Sequence, residues 1–341
     1  MVLEHLFPEN WLENKTGYAF LLGAVYSVIG IVTARLLFGA NSGLASVMFV
    51  SILLIPSLRK LFEREERREE RERRFSLKHL YKDNKHLVHA YGGMFLGVFI
   101  AYFALAFFGL AFGWDVNALF REQVFLDPAI SGRATFSLGA FISILMNNWW
   151  VLLACFLLSL ISGNGATFFI VWNASAWGVI FGLRSVAAGA MLGESTLLVG
   201  LLMLAITLPH IILEGGAYIL AGIAGALISD DVISDAKDLS KFVAALAVAI
   251  GVFWLLNKAF SMVLDGGMLL AVNVTLALGF LYLLKHVFPD KRHKEVFIYN
   301  YWLFIIALGV FAVGALVETG VLSWSGLLNE YYFAAAQFFV G

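Results

Sequence analysis

The chain has 341 residues, 61% hydrophobic and 14% charged, with a mean hydropathy of +0.85. A soluble domain carries about 25% charged residues, so the composition excludes a soluble globular protein and favours a helical bundle in a membrane. The net charge of −1 singles out no partner, no nucleic-acid module is visible, and a single cysteine, Cys155, excludes an internal disulfide and argues against a thiol metal site.

A helix crosses the hydrocarbon core with about 20 apolar residues. The first residues carry Glu4, Glu9 and Glu13 against Lys15 alone, so no basic leader and no cleaved signal peptide are expected. Candidate spans follow at 17–38, 42–57, 88–112, 137–161, 164–183, 196–228, 241–257, 268–287 and 299–322. The second is short and ends at Pro56, which suggests a tilted or re-entrant segment. The sixth is too long for one straight span and holds Pro209 and Gly215-Gly216 at its middle. Proline removes a backbone donor and glycine lowers helix preference, so a break is expected between Leu208 and Gly216. The tail 331–341 is left as a half-span or an interfacial segment.

Four regions result: an N-terminal transmembrane hairpin (1–58), a charged Arg/Glu helix (59–87), a transmembrane core (88–230) and C-terminal transmembrane helices (231–341). The predicted fold class is therefore all-α, a polytopic bundle of about nine spans with one broken near Pro209. In the charged segment, Glu63 with Arg67, Glu69 with Arg73 and Glu70 with Arg74 are helix-favouring pairs. It suits either a solvated cytoplasmic helix or a surface for a partner or anionic lipid. Segments 59–85 and 285–294 are rich in lysine and arginine, which places both on the cytoplasmic side of a cell membrane, and with them the N-terminus.

Ionisable side chains inside a span are expensive and mark a site. His210 and Glu214 lie in the sixth span, four residues apart and so on one helix face. Two more polar groups fall in neighbouring spans, Asn147-Asn148 and Asn173. Together with Pro209 they form the candidate polar intramembrane site: Asn147, Asn148, Asn173, Pro209, His210 and Glu214. A buried pair that locks helices, a proton or ion pathway, and a catalytic or metal site are all open readings of the His–Glu pair. His-x-x-x-Glu offers only two metal ligands. Small residues recur at four-residue spacing at Gly93 and Gly97, and at Ala217, Ala221 and Gly225, where helix backbones can approach closely, either within the protein or in a homo-oligomer. Arg184 and Glu194 bracket a link read as lying outside the spans or dipping into them.

The segment 208–229, LPHIILEGGAYILAGIAGALIS, resembles the signature of the stage II sporulation protein M family, and 141–182 is similar to that family's Asn-Asn entry and glycine turn. Asn147, Asn148, Gly163, Thr167, Asn173, Gly178, Pro209, His210, Glu214, Ala217, Ala221 and Gly225 carry the likeness; Ile211 and Ala174 stand where the family commonly has glycine. The resemblance implies an integral membrane protein without chemistry of its own. Sporulation members anchor peptidoglycan hydrolases during engulfment, and the extra spans and Arg/Glu segment look more like an archaeal member.

His-Glu-x-x-His, Gly-x-Ser-x-Gly and paired intramembrane aspartates are absent from the sequence, so no catalytic residue, metal or cofactor is assigned. The favoured function is a membrane scaffold or assembly factor whose surroundings are the lipid bilayer and a membrane or envelope partner. The alternative is a transporter, channel or lipid-handling protein built on His210 and Glu214. Cysteines substituted for Lys78 and Lys291 should escape a membrane-impermeant thiol reagent in sealed cells and react once the membrane is opened. Ready labelling of either in sealed cells would overturn the assigned orientation.

Overall fold

In hydrocarbon every backbone N–H and C=O must be satisfied within its own segment, which leaves the helix as the conformation for these apolar runs. The computed structural model describes residues 16–39, 42–69, 80–124, 138–233, 236–287 and 291–340. In order these form α1 (Thr16–Phe38), α2 (Gly43–Glu69), α3 (Leu80–Ala111), two single turns α4 (Val116–Leu119) and α5 (Arg121–Val124), α6 (Leu138–Ser162), α7 (Ala166–Leu192), α8 (Thr196–Ile233), α9 (Ala236–Phe260), α10 (Gly266–Leu283) with a 3-10 turn (Leu284–Val287), α11 (Lys291–Trp324) and α12 (Gly326–Val340). Among the described residues there is no strand, and nine helices are long and apolar enough to cross a bilayer. The protein is an all-α polytopic bundle.

Three elements differ from the sequence expectation. First, α8 runs without interruption through Pro209 and Gly215-Gly216. Proline removes only one hydrogen bond, and its ring lies on the exposed side of the helix, as does Ala205, whose carbonyl loses the partner. Gly215 is held instead by packing, because a Cβ there would sit 2.6 Å from the Phe95 ring. Second, α2 does not end at Pro56 but continues to Glu69, so the hairpin and the start of the charged helix are one element. Residues 70–79 of the charged segment lie outside the described residues. Third, α7 extends to Leu192 and absorbs most of the link after 183, with Arg184 inside it. Turns remain where glycine adopts positive φ, at Gly163 (70°) between α6 and α7 and at Gly193 (70°) after α7.

The core is built on close backbone approach. A Cβ on Gly93 would meet the Cβ of Ala19 at 2.8 Å, and Gly97 lies against the backbone of Phe20 and Ala24. The first hairpin is thus packed into the bundle along α3 rather than appended to it. On the other side of α3, Cβ atoms on Gly178 and Gly182 would lie 2.5 Å from the Phe99 carbonyl oxygen and 2.6 Å from that of Phe103. Gly225 of α8 faces the Phe156 and Leu160 backbone of α6, and Ala217 and Ala221 are fully buried. Helix α8 is central, packing most extensively on α11 and also on α6 and α7. Helices α9 and α10 are peripheral: 11% and 22% of their spanning windows are buried, against 67% for α7.

Connections close one end of the bundle. Ser42 Oγ donates to the Leu119 carbonyl (3.2 Å), Gln123 Nε2 to the Gly43 carbonyl (3.1 Å), and the Leu44 amide to Glu122 Oε2 (3.3 Å). The fifteen-residue α12 packs on α7 at this end, short of a tenth span.

Gly182→Val should destabilise the protein by about 1–3 kcal/mol, the usual cost of overpacking. Gly279→Ala has nothing within 4 Å of the added Cβ and should match or exceed wild type, since alanine favours the helix by up to about 1 kcal/mol. Thermal unfolding of both in one detergent checks the contrast; equal losses would refute the packing scheme.

Candidate functional site

Midway along α8, His210, Glu214 and Tyr218 follow at four-residue intervals and share one face of the helix. All three are buried, at 6%, 3% and 1% exposure. Tyr218 Oη donates to Glu214 Oε1 at 2.5 Å. Helix α11 passes close beside them: a Cβ on Gly314 would lie 3.3 Å from the Glu214 amide nitrogen. One turn further along α11 is Glu318, near enough for the two carboxyl groups to interact electrostatically. From α6, the Cys155 thiol is within electrostatic reach of Tyr218.

The opposite wall is aromatic. The Phe181 ring of α7 stands edge-on to His210, with centroids 6.5 Å apart. Trp177 stacks on Tyr218 at 6.4 Å, and Phe95 of α3 meets Trp177 edge-on at 5.9 Å. Glycines 178 and 182 bring α3 and α7 together at this level. Backbone contact on one side and the α8–α11 seam on the other therefore hold Glu214 in a buried setting beside aromatic rings. His210 Nδ1 and Glu318 Oε2 are buried and have no hydrogen-bond partner among the described residues. Orphaned buried polar atoms are uncommon and call for a specific reason.

The asparagines do not join this group through hydrogen bonds. Asn147 is exposed and its Nδ2 donates to Asn148 Oδ1 at 2.9 Å. Asn173 Nδ2 donates back along its own helix to the Phe169 carbonyl at 2.8 Å. An asparagine with a backbone carbonyl one turn away needs no neighbour across the bundle, and this local solution wins here. Pro209 is exposed, whereas His210 beside it is buried. Of the polar residues expected to form one site, the structure thus connects His210 and Glu214 with each other's helix face and leaves the asparagines apart.

Two residues of the site escaped the sequence reading. Tyr218 continues the four-residue spacing of His210 and Glu214, a signal available in the sequence. Glu318 falls close to the end of a span, where a carboxylate reads as solvated. A third cluster lies at the end closed by α12. The Arg184 guanidinium sits 4.0 Å from the centroid of the Tyr332 ring, and Tyr331 Oη donates to Glu194 Oε2 at 3.2 Å. Burial, helped by the Glu194 carboxylate, holds the Tyr331 phenol above its usual range. Arg184 and Glu194, predicted to bracket a link, instead anchor the terminal helix on α7. Among the described residues no group of three or more His, Cys, Asp or Glu side chains could hold a metal ion.

Comparison of the chain with protein-family models, with curated proteins and with solved structures finds no match.

Tyr218→Phe should destabilise the protein by about 1–3 kcal/mol, the cost of leaving a buried acceptor without its donor. Asn147→Ala, at an exposed position whose bond is to a neighbour, should stay within about 0.5 kcal/mol of wild type. Reversible unfolding of the two variants checks this; a Phe variant as stable as wild type would show that Glu214 does not depend on Tyr218.

Proposed function

We propose that the protein is a non-enzymatic membrane scaffold that assembles a partner in or against the cell membrane, with its basic loops and N-terminus on the cytoplasmic side. The observation that carries this function is a groove of about 420 Å³ between α9 and the end of α10. Apolar exposure alone would say nothing, since lipid covers apolar faces as well as protein does. The composition of the groove is more selective. Ala244, Ala245 and Ala249 line it together with Val248, Val252 and Leu283. Small side chains flanked by branched ones admit a helix backbone at close range, which is how helices associate in lipid.

Packing of the hairpin supports the same function. α9 and α10 are the least buried spans, and a bond from Asn257 Nδ2 to Asn273 Oδ1 (2.6 Å) ties them to each other. The hairpin is therefore internally braced but loosely seated, as suits an element that accepts another chain. The likeness of 141–182 and 208–229 to the stage II sporulation protein M family, some of whose members anchor envelope enzymes, is consistent with this; the extra spans fit an archaeal relative.

A second function, a transporter, channel or lipid-handling protein, is favoured by one observation: His210, Glu214 and Tyr218 share one buried face of α8, and Glu318 of α11 lies within electrostatic reach of Glu214.

A photoreactive amino acid at Val248 should give one discrete adduct with a second protein in native membranes, and Ala249→Phe should abolish that adduct while leaving thermal stability unchanged. Adducts with lipid alone would refute the scaffold function of this groove.

A further inference from the structure

The Glu214–Glu318 pair has no cationic partner. Among the described residues neither carboxyl is paired with a lysine or arginine, and Glu214 takes its one hydrogen bond from a neutral phenol. Glu318 lies one turn from Gly314, which packs on the Glu214 backbone, so two negative charges here would be within electrostatic reach and would repel, and no cation among the described residues offsets them. The titratable groups nearest the pair are Tyr218, bonded to Glu214, and Cys155 of α6, within electrostatic reach of Tyr218, while His210 lies one turn along the same face of α8. From α7 and α3 come the rings of Trp177, Phe181 and Phe95, which do not titrate. Glu318 Oε2 and His210 Nδ1 are left without partners although buried. A metal ion does not fit, since too few ligands converge.

We propose that Glu214 and Glu318 form a binding site for one exchangeable proton inside the helical bundle, carried by one carboxyl group or the other and positioned on the Glu214 side by the Tyr218 hydroxyl. A proton is the smallest ligand that both removes the repulsion and supplies a donor to an orphaned oxygen. Carboxyl pairs that share a proton exist where like charges are forced together. His210, one turn along the same face, is the next group able to carry the proton. The site concerns the same residues as the transporter function but stands without it.

Infrared difference spectra between two pH values test the site in the intact protein. Wild type should show the carbonyl band of a protonated carboxylic acid that shifts in D2O, changes intensity with pH, and has a component missing in Glu318→Gln. Glu318→Gln keeps the side-chain shape, and one oxygen it replaces has no partner, so the variant should fold. A second measurement needs no variant: dicyclohexylcarbodiimide, which attacks protonated carboxyls in apolar surroundings, should modify Glu214 or Glu318 of wild type, less so as pH rises. A band or an adduct yield that does not change over the pH range in which the protein stays folded would overturn the proposal and leave a permanently protonated structural lock. Proton flux into proteoliposomes separates the functions: titration without flux supports the proton site and sinks the transporter.

Discussion

Close contact between helix backbones is the constraint on which everything else here depends. In lipid, a helix that leaves an apolar solvent for an apolar neighbour gains little from the exchange, so association must come from packing and polar bonds. The sequence meets this with glycines placed at the contacts. Gly93 and Gly97 join α3 to α1, Gly178 and Gly182 join α7 to α3, and Gly225 joins α8 to α6. Each replaces a side chain by a neighbour's backbone. The result is two sets of closely joined helices, α1 with α3 and α7, and α6 with α8.

That rigidity is what allows α8 to carry its unusual content. A helix with an internal proline, a paired glycine, an imidazole and a carboxyl would be a poor element alone. Here the proline faces outward, where its lost bond disturbs no packing, and Gly215 is filled by the Phe95 ring. The polar side chains face the seam with α11, where Gly314 leaves room beside Glu214. Placing every defect on the side that tolerates it explains why the helix stays continuous. It also fixes His210, Glu214 and Tyr218 in a line, so that the acidic group is held rather than flexible.

Much of this was legible in the sequence, and what was not has physical causes. Span positions follow from hydropathy because the bilayer sets their length, and all nine fall where the apolar runs are. Breaks were harder. Pro56 and Pro209 each weaken a helix locally, but tertiary packing outweighs one lost bond, and that packing cannot be read from local composition. His210 and Glu214 stand out because charge in hydrocarbon is rare. Glu318 does not, because near a span end the same residue reads as solvated; only the approach of α11 to α8 makes it a partner. Asn147, Asn148 and Asn173 are polar in spans and invite grouping, yet each amide finds a bond within its own helix. Their polarity is local, whereas that of Glu214 is shared between helices.

The bundle divides into parts of different stiffness. From α1 to α8, with α11, the helices are locked by backbone contact and aromatic packing, and α12 is pinned to α7 by Arg184 with Tyr332 and by Glu194 with Tyr331. The α9–α10 hairpin, braced by Asn257 and Asn273, touches this body through a thinner layer that includes Leu153 and Leu157 of α6. Local stability follows contact density, so any opening of the bundle begins at the hairpin. Glu214 lies on the opposite kind of element, at the α8–α11 seam where Gly314 packs against its backbone. The proposed proton site, on a helix locked into the body, and the proposed docking groove, on the loosely seated hairpin, thus belong to parts of different stiffness.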